Sequence, residues 1–208
     1  MLYLASQSPR RRRLLRQLGK PFRIVRSRHR ETIRSGFSPS QNAMRNAAGK
    51  AVKAFLPSGA RGVVIGADTF LYFRGRVIGK PRSMRQAHAL LQSLSGRSHW
   101  VYTGLCLRDA ATGQRRASFA KTRVTFKPLT SRTIARLFRR ASPLDKAGGY
   151  AIQEDLPAPR SRRSRRAARQ AGRGELIARI EGSRSNVIGL PLELLRRELK
   201  IFRKDRRC

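Results

Sequence analysis

Acid is what this chain lacks. Its 208 residues carry 48 Lys+Arg against 11 Asp+Glu, a formal net charge of +37. Ahead of residue 150 only four carboxylate side chains occur: Glu31, Asp68, Asp109 and Asp145. So large an excess predicts salt-dependent, nonspecific binding of polyanions, nucleic acid included, and self-repulsion at low ionic strength. It raises the expectation of a phosphate-bearing ligand without choosing among such ligands. Cysteine is scarce too. Cys106 and Cys208 are too few for a disulfide framework and show no metal-ligand spacing, which suits a reducing cytoplasm. No apolar run approaches the roughly 18–20 residues needed to cross a bilayer, so no membrane span is expected. The stretch Met1-Leu2-Tyr3-Leu4-Ala5 is too short for a signal-peptide core and turns polar at Ser6. Walker-type loops, dinucleotide-binding glycine patterns and zinc motifs are all missing.

What is present is a chain able to build a core. Apolar residues make up 39% of it and come in blocks, which fits a single domain over 1–208. Strands are expected at Leu2–Ala5, Phe22–Val25, Val63–Ala67, Trp100–Leu107, Ala117–Phe126 and Leu176–Ile180. A hairpin is expected from Leu71–Phe73 and Val77–Ile78 around Arg74-Gly75-Arg76. Helices are expected at Arg10–Gly19, Ser40–Phe55, Ser83–Leu94, Thr130–Arg139 and Pro191–Phe202. The alternation argues an α/β fold, a mixed twisted sheet with flanking helices. Residues 157–173 break the pattern with seven arginines and little apolar bulk, and read as a surface insertion.

Three segments could carry chemistry. In Ser6-Gln7-Ser8-Pro9-Arg10-Arg11, a serine-capped helix start offers free N–H groups, hydroxyls and two guanidinium groups, a grip for polyphosphate. The same residues also read as an ordinary capped basic helix. In Gly66-Ala67-Asp68-Thr69, an apolar strand ends at a lone carboxylate, which suits a metal ligand or general base. Alone, Asp68 also reads as a turn or cap aspartate. Gly79-Lys80-Pro81 follows, and Asp145 to Gln153 adds glycines and polar handles.

These segments, taken in order, resemble the Maf family of nucleoside triphosphate pyrophosphatases, also called septum formation inhibitors. The matching stretches are Leu4-Ala5-Ser6-Gln7-Ser8-Pro9-Arg10-Arg11, Lys50-Ala51, Gly66-Ala67-Asp68-Thr69, Gly79-Lys80-Pro81, Leu94-Ser95-Gly96-Arg97, Val101-Tyr102-Thr103-Gly104, Leu144 to Gln153, and Asn186 to Leu192. The resemblance implies two lobes around a central cleft, often a homodimer, and hydrolysis between the α and β phosphates of a nucleotide with a divalent metal, Mg or Mn. It implies that Asp68 is catalytic, as base or metal ligand, and that Glu31 is a second metal ligand. Ser8, Arg11, Lys50 and Lys80 would neutralise the triphosphate. Arg10, Thr69 and Gln153 fall on positions tied to base choice, in the pattern of the dTTP/UTP branch. Departures are acids replaced by Arg13, Ser83 and Arg85, and the arginine-rich insertion. Two other functions fit the same residues: a catalytically weak regulator of cell division, and a nucleic-acid-binding protein using its basic surface.

Overall fold

A computed structural model describes residues 1–79, 81–140 and 176–205. Among these residues seven strands pair in one mixed sheet in the order β2-β1-β3-β5-β6-β7, with β4 joined to β3. The strands are β1 Leu2–Leu4, β2 Phe22–Ile24, β3 Val63–Phe73, β4 Arg76–Ile78, β5 Ser98–Asp109, β6 Arg115–Phe126 and β7 Ile177–Glu181. The helices are α1 Pro9–Arg16, α2 Pro39–Val52, α3 Met84–Leu94, α4 Ser131–Arg140, α5 Arg184–Ile188 and α6 Leu192–Asp205. The expected α/β class is the one observed. Among the described residues no helix is long and apolar enough to cross a membrane.

The described residues divide into two compact units. The first holds 1–70, 101–122 and 182–205. In it β1 runs parallel to both β2 and β3, with Leu4 opposite Ile24 and Ile65. Alternation along the strands assigns their side chains to two faces. Leu2, Leu4, Val63, Ile65, Ala67, Leu105 and Leu107 meet Leu14 and Leu15 of α1 and Leu195, Leu199 and Phe202 of α6. Tyr3, Ala5, Val64 and Cys106 meet Ala47 and Ala51 of α2. Both faces are covered, which explains why the Val63–Ala67 run is apolar throughout. Burial pushes the Cys106 thiol up to about 11, with Arg115 and Arg108 pulling the other way, so it stays a protonated core group.

The second unit holds 71–79, 81–100, 123–140 and 176–181. There β4 pairs antiparallel with the end of β3 through a turn at Arg74 and Gly75, both at positive φ (48° and 75°). The end of β6 pairs antiparallel with β7. His99 lies edge-on to Phe126, ring centres 4.8 Å apart, and burial lowers its pKa to about 4.

Two elements differ most from expectation. The strand expected to stop at Ala67 continues to Phe73, so Asp68 sits inside β3 and not at its end. Helix α5 was not foreseen. It has five residues, capped by the Ser183 hydroxyl on the Asn186 N–H and closed by Gly189 at φ 123°.

Candidate active site

The first unit gathers most of the expected site residues, and the geometry begins with strand alternation. Asp68 and Thr69 are neighbours on β3, so they point to opposite faces of the sheet. Asp68 faces α2 and Thr69 faces α1.

Helix α2 is positioned by its cap and by two glycines. Ser38 and Gln41 form a reciprocal capping box, and Pro39 takes the first turn. A side chain at Gly66 or at Gly104 would collide with the backbone carbonyls of Ala47 or Ala43, so only glycine lets α2 lie this close to the sheet. The helix then presents Asn42, Asn46 and Lys50, one turn apart and all buried.

Lys50 and Asp68 form a buried ion pair, Nζ to Oδ1 2.7 Å. The same ammonium reaches Glu31 Oε1 at 2.5 Å and donates to the Ala67 carbonyl at 3.2 Å. An ammonium has three N–H donors, and these three acceptors account for all of them. Asp68 Oδ2 accepts from Asn46 Nδ2 at 2.9 Å. The Asp68 side chain is 7% exposed and that of Glu31 51%, so one carboxylate is desolvated and the other opens to water.

On the opposite face Arg11 is fixed at three points. Its Nε donates to the Gly189 carbonyl at 2.8 Å, Nη1 to Ser6 Oγ at 3.2 Å and Nη2 to Thr69 Oγ1 at 3.0 Å. Thr69 Oγ1 also lies 2.9 Å from Thr103 Oγ1. Burial lowers the Arg11 pKa, offset by the charges of Asp68 and Glu31, while Arg10 lowers it further. The Ser8 hydroxyl caps α1 by accepting from the Arg11 N–H, and Arg10 stands in the first turn. Lys80, Asp145, Gln153 and the 157–173 stretch lie outside the described residues.

A divalent cation suits this donor set in kind. Mg²⁺ takes hard oxygen ligands, typically one or two carboxylates completed by water and substrate phosphate. Asp68 and Glu31 converge on one ammonium and are such a pair. Among the described residues no group of three His, Cys, Asp or Glu side chains could hold a metal. An ion held here would take water and phosphate for its remaining ligands.

Asn46 and Asn42 were not singled out from the sequence. The available signal was their spacing with Lys50, at i, i+4 and i+8 on a helix whose adjacent row is Ala43, Ala47 and Ala51. Asn42 exchanges two hydrogen bonds with the backbone of Arg34 and donates to Phe37 O. Asn46 accepts from His29 Nε2 and from Thr32 N. The two asparagines thereby fasten the loop that carries Glu31.

Comparison with known proteins supplies the context for this constellation. The family described as Maf-like protein matches residues 1–158. The chain is 42% identical over 207 residues to a dTTP/UTP pyrophosphatase of Moorella thermoacetica, covering 98% of this chain and 96% of the relative. It is 39% identical over 201 residues to a dTTP/UTP pyrophosphatase of Pelotomaculum thermopropionicum, covering 97% and 96%. A Bacillus cereus protein of the same description is 38% identical over 205 residues, covering 98% and 91%. The residues that fix Asp68 and Arg11 in place are thus those of a chain that belongs to the Maf family.

Proposed function

We propose that this protein hydrolyses dTTP and UTP between the α and β phosphates, releasing the nucleoside monophosphate and pyrophosphate. The observation that carries the reading is Asp68, a desolvated carboxylate held at both oxygens by Lys50 and Asn46. The near full-length similarity to proteins named dTTP/UTP pyrophosphatase supports the substrate.

In this mechanism Asp68 takes a proton from the attacking water. The water oxygen bonds to the α phosphorus, the bond from that phosphorus to the bridging oxygen breaks, and pyrophosphate leaves with the electron pair. Lys50 keeps two carboxylates together that would otherwise repel. Ser8, Arg11, Lys50 and Lys80 would neutralise the triphosphate and the charge that grows on the leaving group. Asp68 and Glu31 would hold a divalent cation, Mg or Mn. Such an ion screens phosphate charge and lowers the pKa of a bound water. Thr69 and Gln153, with Arg10, complete the base preference. A homodimer, as the family resemblance implies, in the reducing cytoplasm that the scarcity of cysteine suits, belongs to the same proposal.

The test is a panel of dTTP, UTP, CTP, GTP and 7-methyl-GTP, each with Mg or Mn, assayed for pyrophosphate. Preferential turnover of dTTP and UTP is expected. Preference for 7-methyl-GTP would reject the assigned branch, and a folded protein inert to every nucleotide would reject the enzyme.

A further inference from the structure

We infer that Asn46 is a positioning residue for this hydrolysis, holding Asp68 with one end of its amide and the Glu31 loop with the other. The inference rests on the pyrophosphatase reading and names a residue that reading does not use.

A side-chain amide has two donor and two acceptor positions. In Asn46, Nδ2 donates to Asp68 Oδ2 at 2.9 Å, while Oδ1 accepts from Thr32 N at 3.2 Å and contacts His29 Nε2 at 3.1 Å. Because Nδ2 faces a carboxylate, the oxygen must face His29, and His29 must carry its proton on Nε2. Thr32 is the residue next to Glu31, so the second bond fixes the backbone at the other carboxylate. The His29 ring is seated against α2 at Gly49, where any side chain would overlap the imidazole.

No other residue can do both jobs at this position. Asn46 is fully buried, so alanine would leave the Thr32 N–H and an Asp68 oxygen without a partner. Aspartate keeps the shape and the acceptor but loses the donor, and sets a second carboxylate against Asp68. Glutamine adds a methylene to a closed space. One amide thus ties both carboxylates to the same turn of α2. Lys50 holds their charges and Asn46 fixes their positions.

The experiment compares wild type, Asn46→Ala and Asn46→Asp as full-length proteins. The readouts are kcat and KM for dTTP with Mg, binding of a non-hydrolysable α,β-imido dTTP by calorimetry, and thermal melting. For Asn46→Ala, kcat per folded molecule should fall about 10–100-fold, the usual loss when an outer-layer partner of a reacting carboxylate is removed. Binding of the imido analogue should stay within about threefold, because the phosphate-gripping residues are untouched. Asn46→Asp should be slower still per folded molecule, and should melt lower because it sets a second buried carboxylate against Asp68. It is isosteric and, assayed below its melting temperature, decides the matter should Asn46→Ala not fold. The inference is overturned if folded Asn46→Asp turns over like wild type, or if kcat and analogue binding fall together in proportion to lost folded protein. A wild type inert to dTTP and UTP would instead remove the pyrophosphatase reading on which the inference stands.

Discussion

At the residue scale the site is governed by what a lone buried carboxylate requires. Asp68 is 5% exposed, and only an ion pair and a second hydrogen bond make its charge tolerable. Removing the cation should therefore cost more than removing the anion. Lys50→Met should destabilise the fold by about 3–5 kcal/mol, read by urea melting at neutral pH, since it strands a buried carboxylate. Asp68→Asn keeps a carbonyl for Lys50 but turns an amide against Asn46 Nδ2, so it should destabilise by about 1–3 kcal/mol while activity per folded molecule falls by about 10²–10⁴. Activity lost only in proportion to folded protein would make the residue structural. Arg11 should not tolerate lysine. Its three hydrogen bonds fan out to Ser6, Thr69 and Gly189, a geometry that a point-charge ammonium cannot copy. Arg11→Lys should raise KM for dTTP more than it lowers the melting temperature.

At the element scale, helix α2 and the strands under it decide whether the site forms. Gly66→Ala should push on the Ala47 carbonyl, shift Asn46 and Lys50 away from Asp68, and destabilise by about 1–3 kcal/mol or more. Activity should fall further than stability, as kcat and melting measured together will tell. The His99 contact on Phe126 gives a pH signature. Burial lowers His99 from 6.5 to about 4, so between those values the unfolded chain binds a proton that the folded chain does not. His99 therefore contributes fully above about pH 6.5, and up to about 3 kcal/mol of that is lost as pH falls towards 4. Urea melts at pH 7 and pH 5 should show a smaller difference for His99→Phe than for wild type. Most of these elements were legible in the sequence, because Leu14 and Leu15, the unbroken apolar run Val63–Ala67 and the Ala87, Leu91 and Leu94 face carry strong hydrophobic signals. The end of β3 was misread because Asp68 is a poor strand residue alone, and its pairing with Asn46 and Lys50 is tertiary. Helix α2 starts at Pro39, one residue before the expected Ser40, where Ser38 and Gln41 form the capping box, and it ends at Val52, short of the expected Phe55. Helix α5 is held by long-range bonds, such as Asn186 Nδ2 to Val101 O, that no local pattern encodes. Asp68, Arg11, Lys50 and Thr69 were legible as motif residues, whereas Asn46 was not, since a buried asparagine declares itself only through its partners.

At the scale of the whole molecule, charge sets the conditions under which the chain works. A net charge of +37 repels itself, and the Debye length shrinks from about 30 Å at 0.01 M salt to about 10 Å at 0.1 M. The melting temperature should therefore rise over that range, where a protein of balanced charge would change little. Binding to DNA or RNA should weaken steeply with salt and persist in Asp68→Asn, which would separate a property of the surface from the chemistry of the site. The chemistry is tested most directly by the products. Hydrolysis of dTTP in ¹⁸O-water, followed by ³¹P NMR for wild type and Asp68→Asn, should give equal dTMP and pyrophosphate with the label in dTMP, and no turnover in the variant. Formation of dTDP and phosphate, or equal turnover by folded Asp68→Asn, would contradict the account.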